Sequence, residues 1–292
     1  MHISEYDPST AGAVLGEAAH LLRNIGFSAR HAILIGGLVP GLLVLDPGTG
    51  SRPHIGTADV DLCLSIALIE GDTAEYDRME AGLRKAGFGP TDKTFAWKRS
   101  TGLGIKVEFF CPAADGRPAG SLFRPAAADA PKVKHNMGPK LSAIALEAGD
   151  VISADVVDVE REVTLPGDSG RTAWTFRVTG LTGFLVAKTA ALVGRDKPKD
   201  AYDIVWLLEN WPGGVEGAAA AVSDRGLMKR ADVTESLRRL EAEFSGIDRL
   251  GPASFVRFMA PEGTLADERL RLARQAAGAV SAFAAALQIR ER

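Results

Sequence analysis

The sequence predicts an α/β fold of the mixed (α+β) kind: an N-terminal mixed sheet with flanking helices over 1–180, then a helical domain over 181–292. Three observations predict it. Strand-like and helix-like apolar patterns alternate up to about residue 178. From Leu181 onward only helical spacing recurs. The length, 292 residues, also exceeds the ~250 residues that one core usually organises, so a division is expected, and it is placed near Gly180.

Each element has a local reason. Ser9 or Thr10 can cap a first helix to about Asn24, with Ala13, Val14, Ala18, Leu21 and Leu22 at helical spacing and Gly26 closing it. Ala32-Ile33-Leu34-Ile35 reads as a buried strand that stops at Gly36-Gly37. A helix from about Leu38 to Leu45 includes Pro40, and a Gly/Pro-rich loop runs from Asp46 to Gly56. Ala58 to Ile66 is a strand. Thr73 to Ala86 is a helix carrying Tyr76, Met79 and Leu83, ended by Gly87. Thr94 to Lys98 and Ile105 to Phe110 are strands joined by a glycine turn. Residues 112–140 read as loop, and 155–165 with 172–178 as a hairpin. Helices follow at about 182–193, 199–208, 215–223, 233–244 and 265–289.

Composition narrows the function. Apolar residues at 46% and charged residues at 24% describe an ordinary globular chain and exclude overall disorder. A net charge of −3 offers no global attraction to nucleic acid or an anionic membrane, so any such contact must be local. Two cysteines, Cys63 and Cys111, are too few for a disulfide framework or a four-cysteine zinc site, and their apolar neighbours mark them as buried small hydrophobes. No apolar run approaches the ~18 residues of a membrane span. The N-terminus lacks the basic and apolar regions of a signal peptide, so a cytoplasmic location is expected.

The chemistry centres on Gly56-Thr57-Ala58-Asp59-Val60-Asp61-Leu62. Strand residues two apart share a face, so Asp59 and Asp61 project together while Val60 and Leu62 face the core. Adjacent carboxylates repel, and a hard divalent ion such as Mg²⁺ resolves the conflict. The tripeptide alone also suits a solvated edge strand. Upstream, the strand–Gly36-Gly37–helix unit leaves backbone N–H groups at a helix start, where phosphate binds well, although a plain tight turn has the same sequence. Glu108, alternating with Val107 and Phe109, is either a third metal carboxylate or an exposed strand acid.

A second cluster lies in the helical part. Lys188 and Arg195 are seven residues apart on one helix face. Lys188 sits among Leu185, Val186 and Ala187, where an ammonium group needs an anionic partner, either a triphosphate or an aspartate. Asp200 and Asp203 follow, one helical turn apart. Asp200 is also what the positive end of a helix dipole favours.

The order of glycine turn, Asp-x-Asp and later strand acid resembles the polymerase-beta-like nucleotidyltransferase superfamily. With Lys188, Arg195, Lys197, Lys199-Asp200 and Asp203-Ile204 added, the pattern looks like the AbiEii-type nucleotidyltransferases, the toxin half of type IV toxin–antitoxin and abortive-infection systems. The resemblance spans about residues 31–208. It implies a nucleotidyltransferase-like sheet and a metal-dependent enzyme that moves a nucleotide from an NTP, with Mg²⁺ or Mn²⁺, onto RNA, particularly tRNA, with an antitoxin encoded nearby. It places metal ions on Asp59, Asp61 and Glu108, nucleotide contacts on Gly36, Gly37, Thr57, Lys188 and Arg195, and catalytic roles on Asp59, Asp61, Lys188, Asp200 and Asp203. Lys132, Lys134, Lys140, Arg195, Lys197 and Lys199 are candidates for RNA phosphates, or simply solvated. The chain departs from the pattern at Ile55, beside His54, where arginine is common, and at Leu38, where many superfamily members have serine. Transfer to a small-molecule or protein hydroxyl is the alternative chemistry. A non-catalytic module of the same fold is the alternative class.

Overall fold

The structure is a computed structural model, and it describes residues 2–7, 10–48, 50–65, 74–124, 141–167 and 170–288; the side chains at 27, 28, 74 and 75 are outside that description. The chain divides into two compact units. One, the sheet unit, comprises Ser9–Leu38 and Thr57–Thr179; the other, the helical unit, comprises Met1–Pro8, Val39–Gly56 and Gly180–Arg292.

The sheet unit is built from helix α1 (Ala11–Ile25), strands β1 (Ala32–Ile35) and β2 (Asp59–Leu64), helix α3 (Ala74–Lys85), β3 (Phe88–Pro90), β4 (Ala96–Arg99), β5 (Lys106–Pro112), β6 (Leu122–Phe123), β7 (Ala143–Leu146), helix α4 (Gly149–Ala154), β8 (Val156–Thr164) and β9 (Arg171–Thr179). The intervening helix α2 (Val39–Leu43) belongs to the helical unit. The strands make a mixed sheet in the order β3-β4-β5-β2-β1-β9-β8, with β7 beside β5 and β6 beside β7. β2 and β5 are parallel, as are β1 and β9, while β1 and β2 are antiparallel.

Period-two patterning explains the sheet. Val60, Leu62, Val107, Phe109 and Trp97 are essentially inaccessible, whereas Asp59, Asp61, Lys106 and Glu108 on the alternate positions are partly exposed. Burying each such large apolar side chain stabilises the fold by about 1.5–3 kcal/mol. α1 lies against α3 through Gly82, where a Cβ would fall 2.7 Å from the Asn24 carbonyl oxygen, so only glycine allows that approach.

The helical unit contains α2 and then α5 (Leu181–Gly194), α6 (Lys199–Asn210), α7 (Gly214–Asp224), α8 (Ala231–Phe244), α9 (Leu250–Met259) and α10 (Ala266–Ala286). α6 is its centre. Every residue from Lys199 to Leu208 is buried, including Lys199, Asp200 and Asp203. None of the described helices is long and apolar enough to cross a membrane.

The α/β class with a helical C-terminal region is what the sequence predicts, and several details differ. Thr10 stands at the α1 N-cap in a helical conformation and makes no capping side-chain bond; Ser9 lies outside the described residues. The helix expected over 38–45 is Val39–Leu43, preceded by a 3-10 turn, Gly36–Leu38. It stops before Asp46-Pro47, because a residue preceding proline resists the helical conformation. α4, α9 and the short strands β3, β6 and β7 have no counterpart in the sequence reading. α9 was masked by Gly251-Pro252, which sit in its first turn, where proline costs nothing. The expected loop over 112–140 includes the 125–140 segment, which with Lys132, Lys134 and Lys140 lies outside the described residues.

Candidate active site

In the sheet unit, strand register assembles the charged face. Antiparallel β1 sets Ile35 opposite Asp61. Parallel β5 sets Lys106 opposite Asp59 and Glu108 opposite Asp61. β4, antiparallel on the far side of β5, sets Lys98 opposite Lys106 and Ala96 opposite Glu108. Alternation then puts Asp59, Asp61, Lys106 and Glu108 on one face of adjacent strands.

The end of β1 meets this block. Gly36 has φ +76°, a left-handed conformation that side chains other than glycine adopt only with strain. A Cβ there would stand 2.9 Å from Asp61 Cγ and 3.0 Å from Asp61 Cβ, inside any normal contact. Glycine is therefore required twice at this position, by its backbone angle and by the carboxylate packed against it. Gly37 follows in the same 3-10 turn and is buried. Thr57 Oγ1 accepts the Asp59 N–H at 3.3 Å and so fixes the entry to β2.

Lys106 is the member the sequence reading did not select. Its Nζ lies 2.9 Å from Glu108 Oε1 and 3.6 Å from Asp59 Oδ2. Partial burial alone would lower the Lys106 pKa, but the Glu108 hydrogen bond and the Asp59, Glu108 and Asp61 charges outweigh it and raise the pKa above its usual value. The signal was present in the sequence: Lys106-x-Glu108 repeats the two-residue spacing of Asp59-x-Asp61.

The donor set can be tested for a metal. Among the described residues, no group of three His, Cys, Asp or Glu side chains is placed to hold an ion. Glu108 pairs with Lys106. Asp59, itself 3.6 Å from Lys106 Nζ, and Asp61 are adjacent, part-exposed oxygen donors. Mg²⁺ commonly binds through one or two carboxylates and takes its other ligands from water and substrate phosphate, so the aspartate pair fits such an ion.

In the helical unit, a buried ionic network gathers the other predicted residues. Lys188 Nζ donates to Asp200 Oδ1 at 2.6 Å and to Asp203 Oδ2 at 2.7 Å. Arg195, just past the end of α5, grips Asp200 through Nε at 2.9 Å and Nη2 at 3.0 Å. Lys199 Nζ donates to Asp203 Oδ1 at 2.6 Å. The anionic partners that the apolar setting of Lys188 demanded are thus the two aspartates. Lys199, expected as a candidate for RNA phosphate, is 2% exposed and committed to Asp203, which removes it from that role.

Burial and pairing oppose each other here. Burial alone would raise the Asp203 pKa, yet the Lys188 and Lys199 ammonium groups and the His54 hydrogen bond hold it well below the usual carboxylate range. Asp200 is likewise lowered by Lys188 and Arg195 against the effect of burial. Burial works against the charge on Lys188, and the two aspartates outweigh it, raising its pKa. For Lys199 burial wins, and its pKa falls below the usual value.

His54, noted in the sequence only as a neighbour of Ile55, completes the network. Its Nδ1 accepts the Gly56 N–H at 3.1 Å, which leaves the proton on Nε2 to be donated to Asp203 Oδ1 at 2.9 Å. The ring stacks on Tyr202 with centroids 5.2 Å apart and meets Trp206 edge-on at 4.9 Å. Burial, helped by the positive charges of Lys199 and Lys188, lowers its pKa from 6.5 to about 4 against the opposing hydrogen bond to Asp203. No sequence spacing could have disclosed this partner, 149 residues from Asp203.

No family model matches the chain, and no curated protein matches it. Among solved structures, the chain is similar to an antigenic nucleotidyltransferase-like protein from Paracoccidioides brasiliensis at 15% identity and a TM-score of 0.38, over 80% of this chain and 94% of that one. A likeness of this degree assigns no activity.

Proposed function

We propose that the chain is a nucleotidyltransferase that uses Mg²⁺ or Mn²⁺ to move a nucleotide from an NTP onto RNA, with tRNA the acceptor that the family resemblance implies. One observation carries the reading: the Gly36 turn packs directly on the Asp61 carboxylate, so a side-chain-free turn and the Asp-x-Asp pair share one end of the sheet.

Asp59 and Asp61 would hold the divalent ion, which when bound neutralises charge on the triphosphate during in-line transfer. Gly36 is part-exposed and presents a side-chain-free backbone beside the aspartates, while Gly37 is buried behind it. Thr57 sets the direction of Asp59 through its backbone bond. In the helical unit Lys188 is buried and donates to Asp200 and Asp203, so its support for the reading is through that network. Asp200 and Asp203 fix its ammonium group in place, and Arg195 holds Asp200.

The test is incubation of the protein with each α-labelled NTP, Mg²⁺ and total RNA, with Asp61→Asn as the control. Label should enter RNA. Loss of the metal-holding carboxylate should remove several kcal/mol of transition-state stabilisation, about 10³-fold in rate. Absence of any Asp61-dependent transfer would end the reading. In cells, growth arrest on expression, relieved by Asp61→Asn and by a neighbouring antitoxin, is the expected outcome of the toxin role.

The net charge of −3 favours a second acceptor class, a small-molecule or protein hydroxyl, because RNA-modifying enzymes usually carry a basic face. Label found in protein or in small molecules rather than RNA would decide for it.

A further inference from the structure

We propose that Lys106 is a built-in cation of the carboxylate block, so that the site loads one divalent ion, on Asp59 and Asp61, rather than two ions shared with Glu108. This rests on the nucleotidyl-transfer reading and sets its metal stoichiometry.

The parallel register of β2 and β5 carries the inference. Lys106 stands opposite Asp59, Glu108 opposite Asp61, and all four side chains project from one face. The Lys106 ammonium lies 2.9 Å from Glu108 Oε1 and 3.6 Å from Asp59 Oδ2. A second divalent ion bound to Glu108 would have to take that carboxylate from Lys106 and then lie beside its positive charge. Like charges at such distances disfavour one another strongly.

The β4 register points the same way: Lys98 stands opposite Lys106, so a second divalent ion near Glu108 would meet positive charge from two neighbouring strands. Lys106 also relieves the repulsion among three neighbouring carboxylates before any ion arrives, because opposite charges facing each other across strands stabilise a sheet. Its side chain is 36% exposed, so the ammonium group is held at the rim of the block by its partners rather than by packing.

The experiment is a Mn²⁺ titration of the full chain, with bound ions counted by the electron paramagnetic resonance of free Mn²⁺. Wild type is compared with Lys106→Met, which keeps the length and removes the charge, with Lys106→Arg, which keeps the charge, and with Asp61→Asn. Circular dichroism checks that each variant is folded, and Lys106→Gln replaces the methionine variant should that one fail to fold. Wild type and Lys106→Arg are expected to bind one ion. Lys106→Met should bind a second ion or bind the first about tenfold more tightly. Asp61→Asn should abolish binding. Two ions on wild type, or no difference in count or Kd on Lys106→Met while Asp61→Asn still abolishes binding, would overturn the role of Lys106 and leave nucleotidyl transfer standing. Absence of saturable Mn²⁺ binding in wild type and Lys106→Met alike would remove both.

Discussion

Replacing Gly36 by alanine tests the contact on which the candidate site depends. The residue sits at φ +76°, and an L-residue held in the left-handed region costs about 1–2 kcal/mol. The added methyl would stand 2.9 Å from Asp61 Cγ, against an ordinary carbon–carbon separation of about 3.5–4.0 Å. Asp61 Oδ2 lies nearer still, so the carboxyl group must retreat by roughly 1 Å or more. A displacement near 1 Å in a reacting constellation costs about 10²-fold in rate. Gly36→Ala should thus fold, with Tm lowered by roughly 3–8 °C, and lose about 10²-fold in kcat for label transfer. Thermal melts and steady-state transfer assays read the two effects separately. A variant that melts lower but turns over at the wild-type rate would refute the argument that Gly36 and Asp61 form one functional unit.

The other predictions concern the buried network and the thiols. Lys188→Met leaves Asp200 and Asp203 buried without their shared ammonium, and breaking a buried pair in this way costs about 3–5 kcal/mol; urea unfolding should show it, and an unchanged midpoint would contradict the network's structural weight. His54 contributes a pH dependence whose sign is fixed. Its pKa falls from 6.5 to about 4 on folding, so between those values the unfolded chain binds the extra proton and the native chain does not. Stability present above pH 6.5 is therefore lost as pH falls through about 4, by up to about 3 kcal/mol. His54→Gln should flatten that part of the urea-midpoint profile, and a profile as steep as wild type would count against it. Cys63 and Cys111 are buried, and burial pushes both thiols up, Cys111 to about 11. Neither should react with iodoacetamide at pH 8 until the protein unfolds, as mass spectrometry would show.

Much of the fold was legible because its signals are local. The alternation in Asp59–Leu64 and Lys106–Phe110, the glycine stops at Gly26 and Gly87, and the helical spacing beyond Leu181 each declare one element within a few residues. Short elements escaped. β6 and β7 are too brief for a period to register, and a glycine–proline pair disguised the start of α9. The candidate site divides in the same way. That Asp59 and Asp61 share a face follows from strand geometry alone, and the apolar setting of Lys188 required an anion nearby. Which anion it was, and that Lys106 and His54 belong to the two clusters, depends on pairing between distant segments. Asp59 finds Lys106 through the β2–β5 register, and His54 reaches Asp203 across 149 residues. A single sequence does not encode such pairings at any fixed spacing.

The discontinuous course of the chain has a consequence for its synthesis. The backbone passes from one unit to the other after residues 8, 38, 56 and 179. A ribosome therefore releases the 39–56 segment long before α5 and α6 exist, and His54 must wait with its ring unshielded until Asp203 emerges. Truncation at the helical boundary would strand that early segment without the helices of its own unit, so neither half is a natural unit of expression.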